Sequence, residues 1–200
     1  MKRLLCLAIS IVALVCSASA DEAAARILKN IEQNLAAMGT YRVEFEIAAG
    51  DYRSNGEYVV AGRDFYLKAD DTEVYASEGV RREVAHSKKE ITVDTIDTSA
   101  RDIISNPSAG FTTLSEDFDS ETVQASDGTQ HITFTPKAES TMRETVTVVV
   151  SKNGKFPYSI TYDTASGSIE VRMKSIAPAN GGVPQFDASR YAGYETVDFR

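Results

Sequence analysis

Seven consecutive residues, Tyr41-Arg42-Val43-Glu44-Phe45-Glu46-Ile47, alternate without a break between apolar or aromatic and charged side chains. Side chains on a strand point to opposite faces in turn, so this segment presents one oily wall and one wet wall. Directly before it, Ala24 to Met38 places Ile27, Leu28, Ile31, Leu35 and Met38 at the spacing of a helix with one apolar stripe. A helix stripe and a sheet face that both need cover are thus neighbours in the chain. The pattern predicts one large curved sheet, assembled around this first hairpin and closed by helices.

Turn signals then come at short, even spacing. Gly50-Asp51 and Gly56 bracket Tyr52, and Tyr58, Val60, Phe65 and Leu67 predict two strands around a turn at Ala61-Gly62-Arg63-Asp64. Val74 and Tyr75 precede Gly79, with Val84, Ile91 and Val93 after it. Further on, Ile132 to Pro136 and Thr145 to Val150 read as strands, the latter with Val146, Val148 and Val150 on one face. Lys152-Asn153-Gly154-Lys155 predicts a hairpin turn, Phe156 to Asp163 its partner strand, and Ala165-Ser166-Gly167 the turn into Ile169 to Met173. Successive hairpins make the sheet antiparallel. The tail, Gln185 to Arg200, carries Phe186, Tyr191, Tyr194, Val197 and Phe199, and no linker divides the chain.

The strand rhythm breaks between Asp97 and Asp119. Ser99 stands three residues before Asp102 like a helix cap, and Ile103-Ile104 precede Asn106-Pro107, which stops a helix. Ser108 to Asp119 then reads as a loop or short helix bearing Phe111, Leu114 and Phe118. An apolar insertion of this kind is either a lid or ordinary core packing on the sheet.

Met1 to Ala20 has the form of an export signal: Lys2 and Arg3, an apolar run from Leu4 to Val15, and Ala18-Ser19-Ala20 as cleavage site. The run falls short of the roughly 20 apolar residues that span a bilayer. Residues 1–20 are therefore expected as a signal peptide and 21–200 as a single, monomeric domain. Cys6 and Cys16 both lie in the leader, so the exported chain has no thiol for a disulfide, a nucleophile or a metal site. Loss of Lys2 and Arg3 reduces 21 basic residues to 19 against 29 acidic, a formal charge of −10. That sign disfavours nucleic acid and anionic membrane surfaces as partners.

Catalytic chemistry has few candidates here. His86 and His131 are isolated and read as solvated surface groups. No histidine spacing suits a metal, no Gly-x-Ser-x-Gly elbow or phosphate-binding glycine loop occurs, and Asp70-Asp71 and Glu116-Asp117-Phe118-Asp119 lack the spacing of a calcium loop. The reading is a protein without catalytic residues, bound metal or cofactor.

The chain as a whole resembles the periplasmic outer-membrane lipoprotein carrier family, LolA, and its diverged relatives. The positions that carry the resemblance come in order: the helix and strand from Ala24 to Ile47, Gly56-x-Tyr58-x-Val60 with Phe65, Ser77-Glu78-Gly79, Pro107, Phe134-Thr135-Pro136-Lys137, Gly154, Gly167, Phe186-Asp187, and the ending Glu195-Thr196-Val197-Asp198-Phe199-Arg200. The resemblance implies a mainly β fold, an incomplete, half-open, curved antiparallel barrel with an N-terminal helix and a helical lid. It also implies a hydrophobic cavity that shields lipoprotein acyl chains in the periplasm on their way to the outer membrane. Partners would be acylated lipoproteins, an inner-membrane lipoprotein-release transporter, and an outer-membrane acceptor or the membrane itself. On the alternation, Val43, Phe45, Phe65, Phe134 and Val148 would line or underlie the cavity, and Ile103, Ile104, Phe111 and Leu114 would belong to the lid. Where founding members carry Lys-Arg-Pro, this chain has Ala61-Gly62-Arg63, which makes Arg63 either the lid latch or a solvated turn residue. Arg81-Arg82-Glu83 replaces the family's aromatic residues after the Ser-Asp-Gly turn. The alternative reading is a binding module of the same fold for another lipophile, or a subunit of an envelope pathway.

Overall fold

In the computed structural model, residues 22–96, 114–140 and 142–200 are described. The predicted amphipathic helix is α1, residues 22–36. It stops at Gly39, whose φ of 69° is easy only for glycine, and whose N–H donates to the carbonyl of Ala36 at 3.0 Å. The chain then enters β1 (Thr40–Ala49), β2 (Tyr52–Ala61), β3 (Asp64–Ala69), β4 (Thr72–Ser77), β5 (Val80–Ala85) and β6 (Glu90–Thr95). A four-residue helix α2 (Leu114–Asp117) leads into β7 (Phe118–Gln124), β8 (Gln130–Pro136), β9 (Thr145–Val150), β10 (Pro157–Thr164), β11 (Gly167–Pro178) and, after a 3-10 turn at Ala188–Tyr191, β12 (Glu195–Asp198).

All twelve strands belong to one sheet in the order β12-β6-β5-β4-β3-β2-β1-β11-β10-β9-β8-β7. It is curved and does not close, since β12 and β7 remain as edges. The segment that opens the sequence argument occupies the middle. β1 pairs with β2 along its whole length through the Gly50-Asp51 turn, and its other edge receives β11. Opposite β1, the register of β11 slips between Glu44 and Phe45, so that Lys174 is an extra residue in β11. Such a bulge bends a strand and raises its twist. The sheet departs from the antiparallel expectation in one pair, β12 running parallel to β6.

Two apolar clusters form, one on each face. The concave cluster holds Ala24, Leu28 and Ile31 of α1 against Tyr41, Val43, Phe45, Tyr58, Val60, Phe65, Leu67 and the inward residues of β7 to β11. The second cluster lies on the opposite, convex face of β2 to β6: Val59, Tyr66, Tyr75, Val84, Ile91 and Val93, covered by Val183 and Tyr191 of the tail. Burial on both sides explains the continuous apolar runs Val59-Val60, Phe65-Tyr66-Leu67 and Val74-Tyr75-Ala76, whereas the singly covered β1 alternates. Phe118, expected in the insertion, instead begins β7 and packs into the concave core.

Candidate functional site

The five positions assigned to the concave wall come from four strands, Val43 and Phe45 from β1, Phe65 from β3, Phe134 from β8 and Val148 from β9. All are at most 1% exposed and belong to the cluster that α1 fills. Leu114 of α2 joins the same cluster. Ile103, Ile104 and Phe111 lie outside the described residues. Arg63 sits exposed in the β2–β3 turn and makes no hydrogen bond or ion pair among the described residues. The polar side of α1 is tied to the β9–β10 turn: the Asn30 amide donates to the carbonyl of Gly154 at 2.8 Å and that of Asn34 to the carbonyl of Lys155 at 3.3 Å.

Clefts open on both flanks of α1. One of about 290 Å³ is lined by Ala24, Ala25, Leu28, Phe118 and Phe134, with Glu22 and Lys137 beside them. Phe118 and Phe134 meet edge to face at 6.5 Å between ring centres. The second, about 320 Å³, is lined by Arg26, Ile27, Asn30, Thr122 and Gln130. There the buried Thr122 hydroxyl has no hydrogen-bond partner among the described residues. Core residues therefore border open space on one side of the helix.

Gly56 accounts for the tight approach of β1, β2 and β3. It lies directly opposite Phe45, and a Cβ at this position would stand 2.4 and 2.6 Å from two carbons of the Phe45 ring and 2.8 Å from the carbonyl oxygen of Lys68. The aromatic ring occupies the space that the missing side chain leaves, an arrangement known to stabilise glycine in strands.

On the convex face a second group of residues converges, one that the alternation did not single out. Glu73 of β4 is 3% exposed. Its carboxylate accepts from the hydroxyls of Tyr66 at 2.9 Å, Tyr75 at 3.0 Å and Tyr191 at 2.5 Å. Arg190 donates to the Tyr75 hydroxyl at 3.0 Å and brings its charge within 3.9 Å of the carboxylate. Burial pushes the Glu73 carboxyl up, but the hydroxyls of Tyr191, Tyr66 and Tyr75, with the Arg190 charge, outweigh it and hold the group below its ordinary value. Burial and the neighbouring carboxylate push the Tyr191 phenol upward. His86, expected as a solvated group, packs on Tyr191 and Tyr194, with Nδ1 3.0 Å from the Tyr194 hydroxyl and Nε2 3.6 Å from Glu73. His131 contacts the Thr129 hydroxyl at 3.1 Å. The Glu73 network with Tyr66, Tyr75, Tyr191 and Arg190 clasps the tail to the sheet.

Neither a protein-family profile nor a curated protein sequence matches this chain. Among solved structures, a conserved, uncharacterised protein from Thermus thermophilus aligns over 88% of this chain and 99% of its own with a TM-score of 0.54 and 9% identity. LprF from Mycobacterium bovis aligns over 80% and 95% respectively, with a TM-score of 0.46 and 12% identity. A LolA superfamily protein from Nitrosomonas europaea aligns over 78% and 94%, at 0.40 and 9%. The architecture, an open curved sheet of twelve strands around one N-terminal helix, is the fold that this chain shares with the Thermus thermophilus protein.

Proposed function

We propose that the protein is a periplasmic carrier rather than an enzyme, one that shields the acyl chains of lipoproteins and delivers them to the outer membrane. In this reading it takes cargo from an inner-membrane lipoprotein-release transporter and yields it to an outer-membrane acceptor or to the membrane. The observation that supports it most is the cleft beside α1, where Leu28, Phe118 and Phe134 belong at once to the concave core and to an open wall. Each acyl methylene withdrawn from water is worth about 0.8 kcal/mol, so a carrier must offer extended apolar surface. A cleft of 290 Å³ lies at the lower end of the roughly 300–1,000 Å³ typical of ligand sites. Several acyl chains therefore require α1 to move off the sheet, and its stripe of Ala24, Leu28 and Ile31 covers the concave wall until cargo replaces it. Cavity positions Val43, Phe45, Phe65, Phe134 and Val148 underlie that exchange, with Arg63, in the β2–β3 turn, the latch candidate.

Mass spectrometry of protein purified from the periplasm, with transfer of a labelled lipoprotein to acceptor membranes, tests this. Triacylated peptide should co-purify, and Ala25→Trp, which fills the cleft from an exposed helix position, should reduce uptake while the circular dichroism spectrum is unchanged. A folded protein that neither carries nor transfers acylated cargo refutes the reading. The small volume of the cleft also favours a second reading, a binding module for a single-chain lipophile; free lipid in place of acylated peptide would select it.

A further inference from the structure

The concave wall changes character at one strand boundary. On β4 it carries Val74 and Ala76, both buried in the concave core. Directly opposite them on β5 stand Glu83 and Arg81, and opposite those on β6 stand Thr92 and Asp94. Residues paired across antiparallel strands share a face, so the rows Ala76–Arg81–Asp94 and Val74–Glu83–Thr92 run from apolar to charged within about 4.8 Å per strand. These two strands are not polar all round, since their other face buries Val84, Ile91 and Val93 under the tail. Arg81 donates to Glu83 at 2.5 Å, and the side chains are 26% and 38% exposed, within reach of a ligand but not freely solvated.

We propose that Arg81, Glu83 and Asp94 form a headgroup subsite at the β5–β6 end of the concave wall, which takes a zwitterionic head carrying an anionic group beside an ammonium. This rests on the reading above that the apolar part of the wall accepts acyl chains. One guanidinium supplies paired donors to an anionic oxygen, while two carboxylates leave the rung negative and suited to the adjoining cation. A purely anionic head would face that excess and a chain of net charge −8. An uncharged head would leave the Arg81–Glu83 pair without any compensation for the water it loses on binding.

The test is binding of three fluorescent lipids with identical acyl chains, a phosphatidylethanolamine, a phosphatidylglycerol and a diacylglycerol, to the mature protein and to R81Q and D94N. Wild type should prefer the ethanolamine lipid by roughly tenfold, the worth of one charge-assisted contact. R81Q should reduce that preference to near unity, and D94N should strengthen phosphatidylglycerol binding. Equal binding of all three lipids to wild type and variants overturns the headgroup subsite yet leaves the apolar cleft standing. Absence of binding by any lipid overturns the subsite together with the reading on which it rests. Unchanged melting temperatures assign any loss to the site, since neither side chain is part of a buried core.

Discussion

Glu73→Ala is the most demanding test of the convex clasp. The carboxylate receives three tyrosine hydroxyls, and hydrogen bonds to a charged group are worth about 1.5–3 kcal/mol each. They do not all become orphans on truncation. Tyr75 and Tyr191 keep one another at 2.7 Å, and Tyr75 keeps Arg190, whereas Tyr66 has no other partner among the described residues. One orphaned hydroxyl plus two weakened contacts gives a loss of about 3–5 kcal/mol, the range for breaking a buried charged network. For a domain of this size that lowers the melting temperature by roughly 10 °C. Glu73→Gln retains an acceptor but not the charge, and should lose about half as much. The pH dependence follows from the sign of the shift. Because the folded carboxyl lies below its ordinary value of 4.5, its contribution is complete above that pH and is lost as pH falls through the folded value. Urea denaturation between pH 3 and pH 7 reads both effects, and the acid-side decline should be shallower in Glu73→Gln than in wild type. An alanine variant within about 1 kcal/mol of wild type, or one with an unchanged acid slope, would refute the clasp.

Two further outcomes are expected. Gly56→Ala should cost about 1–3 kcal/mol by overpacking, because the added methyl meets a backbone carbonyl as well as the Phe45 ring; pairing it with Phe45→Leu in a denaturation cycle should recover only part of the loss. Thr122→Val removes a buried hydroxyl that has no partner among the described residues and should raise stability by about 1 kcal/mol, so a measurable loss in thermal denaturation would mean that the hydroxyl is hydrogen-bonded in solution.

What could be read from the sequence follows from which faces are covered. β1 was legible because its Arg42, Glu44 and Glu46 look outward while Val43 and Phe45 look in, and a one-residue slip would exchange the two. In Phe65-Tyr66-Leu67 the pattern marks Phe65 and Leu67 alone, although an unbroken apolar run, as also in Val74-Tyr75-Ala76, is the mark of a strand covered on both faces. Glu73 was hidden for the opposite reason. A lone acid in a strand pattern looks like a solvated position, and the Tyr191 that reverses this reading lies 118 residues away. β12 was equally concealed: Glu195-Thr196-Val197-Asp198 alternates weakly, and no turn announces a parallel partner at β6. The charged rung of β5 and β6 was visible as Arg81-Arg82-Glu83, but only the register places Arg81 and Glu83 on the concave side and Arg82 over Phe186 on the other.

The two halves of the sheet are consequently held by different means, and this bears on how the concave wall would open under the proposed function. The concave wall of β2 to β4 is backed by a second core, in which the tail is fixed by Glu73 and its three tyrosines. α1 is tied to the other half, at the β9–β10 turn, by the two asparagine side chains, worth about 1 kcal/mol each. The buried stripe adds to this hold, with Leu28 and Ile31 contributing roughly 1.5–3 kcal/mol apiece. Under the proposed function, an entering acyl chain would supply contacts of the same kind as that stripe, so the cargo itself would offset withdrawal of the helix. The hydrogen bonds of Asn30 and Asn34 are contacts that such cargo would not replace. They would add to the energy difference between the helix-covered and the loaded wall.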